Sequence, residues 1–391
     1  MYSETEAAKV VILGAGATIG SGYKRCIRTL PGDRGFFGHN EVQELLRSGG
    51  FPVLESILRS LRRGQAMDTP PALGLEEVWT FLDFVQRDIF RNSIDLSAET
   101  EHVWNQIRRP ESSSADDHCQ IKAARTDQTL PATHTLDLLM LAGWDIRRIL
   151  TRIYGDIAPP MGSDPYEELF ERLKLTKAKP ATFISLKYDT VLEQALTRAK
   201  IPWHYGYIDT NVTRSPEGIR ILKPHGSLNW RFKGNVPPVD ISTDYSLEPV
   251  QCESFENNDF VQPMIVEPTQ TKQVITYAAT QADATNQLLK EIWGGAVTAL
   301  KDASEVIVVG YSFPSTDHHF KTLCHLALRR RNFQPYSDVW CGTVANGGEG
   351  EVFAGVQRNL PAVNFHLVTN GLEGLARDYK AAARIAAICC S

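Results

Sequence analysis

The 391-residue chain has no apolar run long enough to cross a membrane. Its first residues, MYSETEAAKV, offer neither the basic start nor the apolar stretch of a secretory leader. It has no CxxC pair. The seven cysteines are scattered, with Cys389 and Cys390 adjacent near the end, which suits neither a disulfide framework nor a four-thiolate zinc module. There is no excess of basic charge either: 41 basic against 46 acidic side chains leave a formal charge of −5, so no global field for direct nucleic-acid binding exists. Local clusters at Arg59, Arg62 and Arg63, and at Arg329, Arg330 and Arg331, fall at the ends of helical patterns, where cations suit the macrodipole. These absences point away from membrane, secreted and nucleic-acid-binding classes. The expectation is a cytoplasmic protein.

What is present is an ordinary globular composition, 42% hydrophobic and 22% charged. The length allows one large domain or two of usual size. Residues 8–13 (AKVVIL) form a continuous apolar run that stops at Gly14, the pattern of a buried strand feeding a turn. From 41 to 175 the pattern becomes helical, as in 53–63, 75–90 and 134–154. A Ser/Asp/Thr-rich stretch at 110–131 reads as a mobile surface loop.

Strand patterns return at 181–186, 219–223, 263–266 and 305–310, then near 338–341 and 363–368. Helical patterns lie between them at 191–199, 282–301 and 317–330, and a last one starts near Leu372. Strands separated by helices of this length imply a parallel sheet covered on both faces. The expected fold is therefore α/β, a Rossmann-like parallel sheet with a helical insertion. Residues 1–40 and 178–391 would form the Rossmann-like domain, and 41–177 the insertion.

Four segments sit just after strands, the edge where open α/β sheets bind ligands. The first is the turn Gly14-Ala15-Gly16-Ala17-Thr18-Ile19-Gly20. Its small residues let backbone approach a phosphate, but Ile19 stands where the dinucleotide fingerprint needs its third glycine. The second is Lys187-Tyr188-Asp189, the third Pro224-His225-Gly226-Ser227-Leu228-Asn229-Trp230, and the fourth Gly310-Tyr311-Ser312-Phe313-Pro314-Ser315-Thr316-Asp317. Asp189 and Asp317 also suit the N-caps of the helices that follow them.

Taken in order, GAGAT, KYD, HGSLNW and GYSFPSTD resemble the sirtuin-like family, in particular its bacterial antiphage-defence branch, which depletes NAD and lacks the zinc module. The resemblance covers residues 8–20 and roughly 181–320. It implies a sirtuin-type Rossmann fold with NAD as substrate or ligand and no zinc. It places Gly14, Ala15, Gly16 and Thr18 at the pyrophosphate, Gly310, Tyr311 and Ser312 along the adenosine side, and Tyr188, Gly226 and Ser227 in the binding set. His225 would face the nicotinamide ribose as proton acceptor, with Lys187 and Asp189 beside it. A homo-oligomer is expected, together with a genomically linked partner such as a HerA-type ATPase or an Argonaute-like protein.

The family's asparagine is replaced here by Lys187. A lysine cannot accept a hydrogen bond, and a bare cation about 5 Å from an oxocarbenium centre opposes it by roughly 3 kcal/mol at an effective dielectric near 20. Two outcomes therefore stand at this point. One is an NAD glycohydrolase in which Lys187 turns toward the pyrophosphate, leaving water to another group, or is neutralised by burial. The other is a degenerate scaffold or sensor that binds NAD or ADP-ribose without turnover.

Overall fold

The computed structural model describes residues 8–19, 21–24, 35–47, 51–61, 73–86, 133–155, 157–175, 181–205, 218–231, 263–266, 279–314, 317–343 and 349–379. The stretch 110–131 and Gly20 lie outside them. The chain forms two compact units, one of residues 1–29, 157–227 and 282–391, the other of 30–156 and 228–281.

The first unit is built on a parallel sheet. Its strands are β1 (Lys9–Leu13), β2 (Thr182–Ser185), β3 (Trp203–Tyr205), β4 (Ile219–Leu222), β7 (Glu305–Val309), β8 (Tyr336–Thr343) and β9 (Ala362–Thr369), in the order β3-β4-β2-β1-β7-β8-β9. All their pairings are parallel. The expected α/β class is what this topology shows. Strand β1 lies at the centre, in register with β2 from Val10↔Thr182 to Leu13↔Ser185 and with β7 from Lys9↔Glu305 to Leu13↔Val309. Helices cover both faces, which is why Val10 to Leu13 and Val306 to Val309 are buried and read as unbroken apolar runs. The chain lays β2 on one side of β1 and β7 on the other, so the carboxyl ends of β1 and β7 flank a topological switch point.

The helices of this unit are α1 (Gly16–Ile19), α6 (Pro165–Leu173), α7 (Val191–Arg198), the main part of α8 (Ala279–Asp302), α9 (His318–Arg330), α10 (Glu349–Asn359) and α11 (Gly371–Asp378). Helix α6 begins at Asp164-Pro165, an acidic cap followed by a proline whose missing N–H costs nothing at a helix start. Asp164 accepts the Tyr166 amide at 2.9 Å and the Tyr23 hydroxyl at 2.5 Å, and it pairs with Arg198 of α7. That cluster fixes α6 against α7 and aims Tyr166 inward, fully buried.

The second unit contains α2 (Asn40–Arg47), α3 (Pro52–Leu61), α4 (Leu75–Gln86) and α5 (Thr133–Tyr154), with a short 3-10 turn at Phe36–Gly38. A two-stranded sheet joins β5 (Gly226–Arg231) to β6 (Pro263–Ile265). Helix α5 packs on α3 and α4, and the Arg147 guanidinium lies 5.6 Å over the Trp79 ring. Among the described residues no helix is long and apolar enough to cross a membrane.

Three observed elements depart from the sequence reading. The segment after β4, read as a loop, enters β5 at Gly226. Strand β3 has only three residues, too short for alternation to show. Helix α10 carries Gly350 and Gly355, which weaken its helical pattern.

Candidate functional site

Strand β2 ends at Ser185, and the chain turns through Leu186, Lys187 and Tyr188 to Asp189 before α7 begins. The Lys187 side chain is buried and runs back under the sheet edge. Its ammonium donates to the Thr18 hydroxyl of α1, to the Tyr166 hydroxyl at 2.8 Å, and lies 3.2 Å from Asp189 Oδ1. An ammonium has three N–H bonds. All three are therefore committed inside the protein.

Asp189 closes the same network. Its Oδ2 accepts the Thr18 hydroxyl at 3.1 Å and its Oδ1 accepts the Val191 amide at 3.1 Å, at the first turn of α7. Burial alone would lower the Lys187 pKa, but the charge of Asp189, the neighbouring Tyr166 and their hydrogen bonds outweigh it and hold it above the ordinary lysine value. Lys187 is thus charged. Neutralisation by burial, one of the two routes open from the sequence, is overturned by that carboxylate. Burial, the largest influence, raises the Tyr166 hydroxyl, so it stays protonated. Sequence reasoning missed Tyr166, because nothing in PYEELFERL distinguishes a ligand of lysine from an ordinary core tyrosine.

The glycine turn is shaped by close backbone contact. Gly14 donates its amide to the Val309 carbonyl at 2.9 Å, and Gly16 to the Gly310 carbonyl at 3.0 Å. A Cβ on Gly14 would lie 2.4 Å from the Gly310 carbonyl oxygen, and one on Gly310 would lie 2.1 Å from the Ala17 nitrogen. Gly310 also has φ of 59°, the left-handed region. The two glycine segments read separately in the sequence thus lock together at the switch point. Two of the turn's amides are spent on carbonyls at the end of β7; Ala15 and Ser312 are exposed on either side.

His225 is set by a tight turn. The Gly226 amide donates to the Lys223 carbonyl at 3.0 Å across Pro224 and His225, with Gly226 at φ of 79°. Proline second and glycine fourth are the residues such a turn favours. The ring is buried. Its Nδ1 lies 3.3 Å from the Leu186 carbonyl, and its Nε2 lies 4.0 Å from Asp317 Oδ2. A carbonyl only accepts, so Nδ1 bonds to Leu186 through its own hydrogen, while the other ring nitrogen faces the Asp317 carboxylate.

Asp317 caps α9 by accepting the Phe320 amide at 3.2 Å, and takes the Tyr311 hydroxyl at 2.7 Å on Oδ2. The structure therefore brings His225 beside the GYSFPSTD segment, with Nε2 4.0 Å from the Asp317 oxygen that accepts the Tyr311 hydroxyl. The sequence showed Asp317 only as a cap. Trp293 of α8 forms another wall, its ring centre 6.2 Å from that of His225. Tyr188 is half-buried, Gly226 and Ser227 are buried, and Ser227 donates to the Tyr188 carbonyl at 3.3 Å.

Two clusters result, both in the first unit at the carboxyl ends of its strands. One is Thr18, Lys187, Asp189 and Tyr166. The other is His225, Asp317 and Tyr311. Such an edge, with a glycine turn, an imidazole and carboxylates, is where open α/β sheets bind their ligands.

One family model matches part of the chain. The model of the SIR2-like domain matches residues 181–341, the stretch that carries KYD, HGSLNW and GYSFPSTD. Over that stretch the resemblance to the sirtuin-like family holds. No curated protein matches the chain. Among solved structures, Sir2Tm bound to a propionylated peptide is similar at 12% identity, with 97% of this chain and 94% of that one covered and a TM-score of 0.35. A Sir2–p53 peptide–NAD+ complex is similar at 13% identity, with 97% and 95% covered and a TM-score of 0.36. Scores at that level carry no weight for this chain.

Proposed function

We propose that this chain binds NAD at the carboxyl edge of its parallel sheet and hydrolyses it to nicotinamide and ADP-ribose. The observation that carries this reading is the orientation of His225. Its Nδ1 lies against the Leu186 carbonyl and its Nε2 beside Asp317 at the strand ends, in the segment matched by the SIR2-like model. Breaking the nicotinamide–ribose bond builds positive charge on the ribose, and water captures it. Nε2 takes up the proton that leaves with that capture, so NAD and water give nicotinamide, ADP-ribose and a proton.

The arrangement of Lys187 supports turnover in one respect. Its charge is matched by Asp189 at 3.2 Å, so a developing cation meets the field of a close pair rather than the bare charge worth roughly 3 kcal/mol. Gly14, Ala15, Gly16 and Thr18 are assigned to the pyrophosphate, Gly310, Tyr311 and Ser312 to the adenosine side, and Tyr188, Gly226 and Ser227 to the surrounding wall. The biological setting we assign is antiphage defence by NAD depletion, by a cytoplasmic homo-oligomer held inactive until triggered through a partner such as a HerA-type ATPase or an Argonaute-like protein. Residues 1–40 with 178–391 are taken as the NAD-handling domain and 41–177 as the helical insertion.

A second reading is favoured by one observation. Lys187 is charged and saturated, so it positions no water where the family has an amide. On that reading the chain binds NAD or ADP-ribose as a scaffold or sensor. One experiment separates the two: the purified full chain, with and without its genomic neighbour, is incubated with NAD while nicotinamide is followed by chromatography and binding by calorimetry. Release in either arm establishes the hydrolase. Binding without release in both arms establishes the sensor, and absence of binding removes both.

A further inference from the structure

Two residues before His225, at the end of β4, Lys223 carries an ammonium with 0% exposure. It donates its three N–H bonds to the Asp189 carbonyl at 2.6 Å, the Ser227 hydroxyl at 2.6 Å and Glu193 Oε1 at 3.0 Å. These acceptors come from two segments, the turn and first helical residues after β2 and the turn after β4. The Tyr205 hydroxyl adds a bond to Glu193 Oε1 at 3.1 Å, bringing in β3. A buried ammonium is tolerated only when its charge is paired and its hydrogens are used. Here that requirement makes Lys223 a tie between two loops.

His225 spans the same two loops. It sits on the turn after β4, and its Nδ1 reaches the Leu186 carbonyl on the turn after β2. At 3.3 Å that contact is at the long end for an N–H···O bond, so a small separation of the loops breaks it. Lys223 bonds on both sides of it: to Asp189, just beyond Leu186, and to Ser227, just beyond His225.

We propose that Lys223, with Glu193 as its counter-ion, is a positioning residue for His225, holding the two loops at the spacing where Nδ1 meets the Leu186 carbonyl. Lys223 itself touches no reacting atom. The inference rests on the reading of His225 as proton acceptor given above, but its structural half is measurable without turnover.

The test is the double variant K223M/E193Q in the full chain, which removes both buried charges together and leaves neither unpaired. Histidine-selective 15N labelling reports the tautomer of each ring, and His225→Ala identifies the His225 signals. The native chain is expected to show His225 as the Nδ1–H tautomer, and the variant to show the Nε2–H or an averaged form. The turnover number for nicotinamide release is expected to fall at least tenfold, with KM for NAD and Kd for ADP-ribose changing less than threefold. An unchanged tautomer and rate in the variant, or a native His225 outside the Nδ1–H form, overturns the proposal. If the native chain releases no nicotinamide yet the tautomer changes as stated, the positioning role stands and hydrolysis falls. Should the double variant not fold by circular dichroism, Ser227→Ala cuts the tie on one side only and is held to the same tautomer change.

Discussion

The Lys187 ammonium lies 3.2 Å from Asp189 Oδ1, and both side chains are sealed from solvent beneath the end of β2. Two residues apart in sequence, they are brought together because the turn after the strand folds Lys187 back toward α1 and α6. Lys187→Met leaves the Asp189 charge buried without its cation, which costs about 3–5 kcal/mol. Urea unfolding of Lys187→Met and of Lys187→Met/Asp189→Asn checks this, with the double variant expected to be the more stable of the two. Lys187→Asn is expected to lower the unfolding midpoint rather than raise nicotinamide release. A rise in release at unchanged stability would contradict the bonding described.

Gly310→Ala tests the lock between the two glycine segments. The added methyl would lie 2.1 Å from the Ala17 nitrogen and 2.3 Å from the Gly16 carbonyl carbon, at a φ of 59°. Left-handed backbone costs about 1–2 kcal/mol without glycine, and overpacking typically adds about 1–3 kcal/mol. A loss of about 2–5 kcal/mol in chemical unfolding follows. Gly35→Ala is the control, since Gly35 has φ of 70° but nothing within 4 Å of the added carbon. It is expected to lose the backbone share alone.

Alkaline pH should unfold the chain. Burial, the largest influence, raises the Tyr23, Tyr166 and Tyr379 hydroxyls, and Asp164 and Glu305 add to it at Tyr23 and Tyr379. Lys187 is also held above its ordinary value. For each of these groups the folded form binds its proton more tightly than the unfolded form. Their stabilisation is fully present below the unfolded values, about 10 for tyrosine and 10.4 for lysine, and is lost as pH rises past them. Thermal unfolding between pH 7 and 11 should show a midpoint that falls above about pH 10, with tyrosinate absorbance at 295 nm appearing together with unfolding. Tyrosinate signal from all tyrosines before unfolding would refute this.

Cys324 and Cys341 should be inert in the native chain. Burial, the largest influence, raises both thiols, Cys341 to about 12, so neither presents thiolate at neutral pH. Mass mapping after brief treatment with N-ethylmaleimide at pH 7.5 is expected to find these two unlabelled, and labelled once urea is added. Rapid native labelling of either would show that the strand β8 and helix α9 core opens.

Much of the sheet is legible in the sequence. Strands buried on both faces read as apolar runs, so AKVVIL and EVIVVG announced β1 and β7, and helices of ordinary length between strands announced parallel pairing. Helix α5 was visible over 134–154 because so long a run of periodicity outweighs any local ambiguity. Short elements were not. Strand β3 has too few residues to alternate, and α6 sits within a helical stretch of sequence that does not distinguish the unit in which it packs.

For the candidate site, the sequence by itself determined the residue types and their place just after strands, because polar groups following an apolar run have only the sheet edge to occupy. The resemblance to the sirtuin-like family sets Lys187 where that family has an asparagine. Only the tertiary structure decided what that lysine does. Its three N–H bonds are filled by Thr18, Tyr166 and Asp189, residues up to 169 positions away, and the carboxylate keeps it charged. The same holds for Lys223 and Asp317, a strand end and a helix cap in sequence, which reach His225 through folded neighbours. Hydrogen bonds between distant segments depend on where the sheet brings its loops together, and no local pattern of residues encodes that.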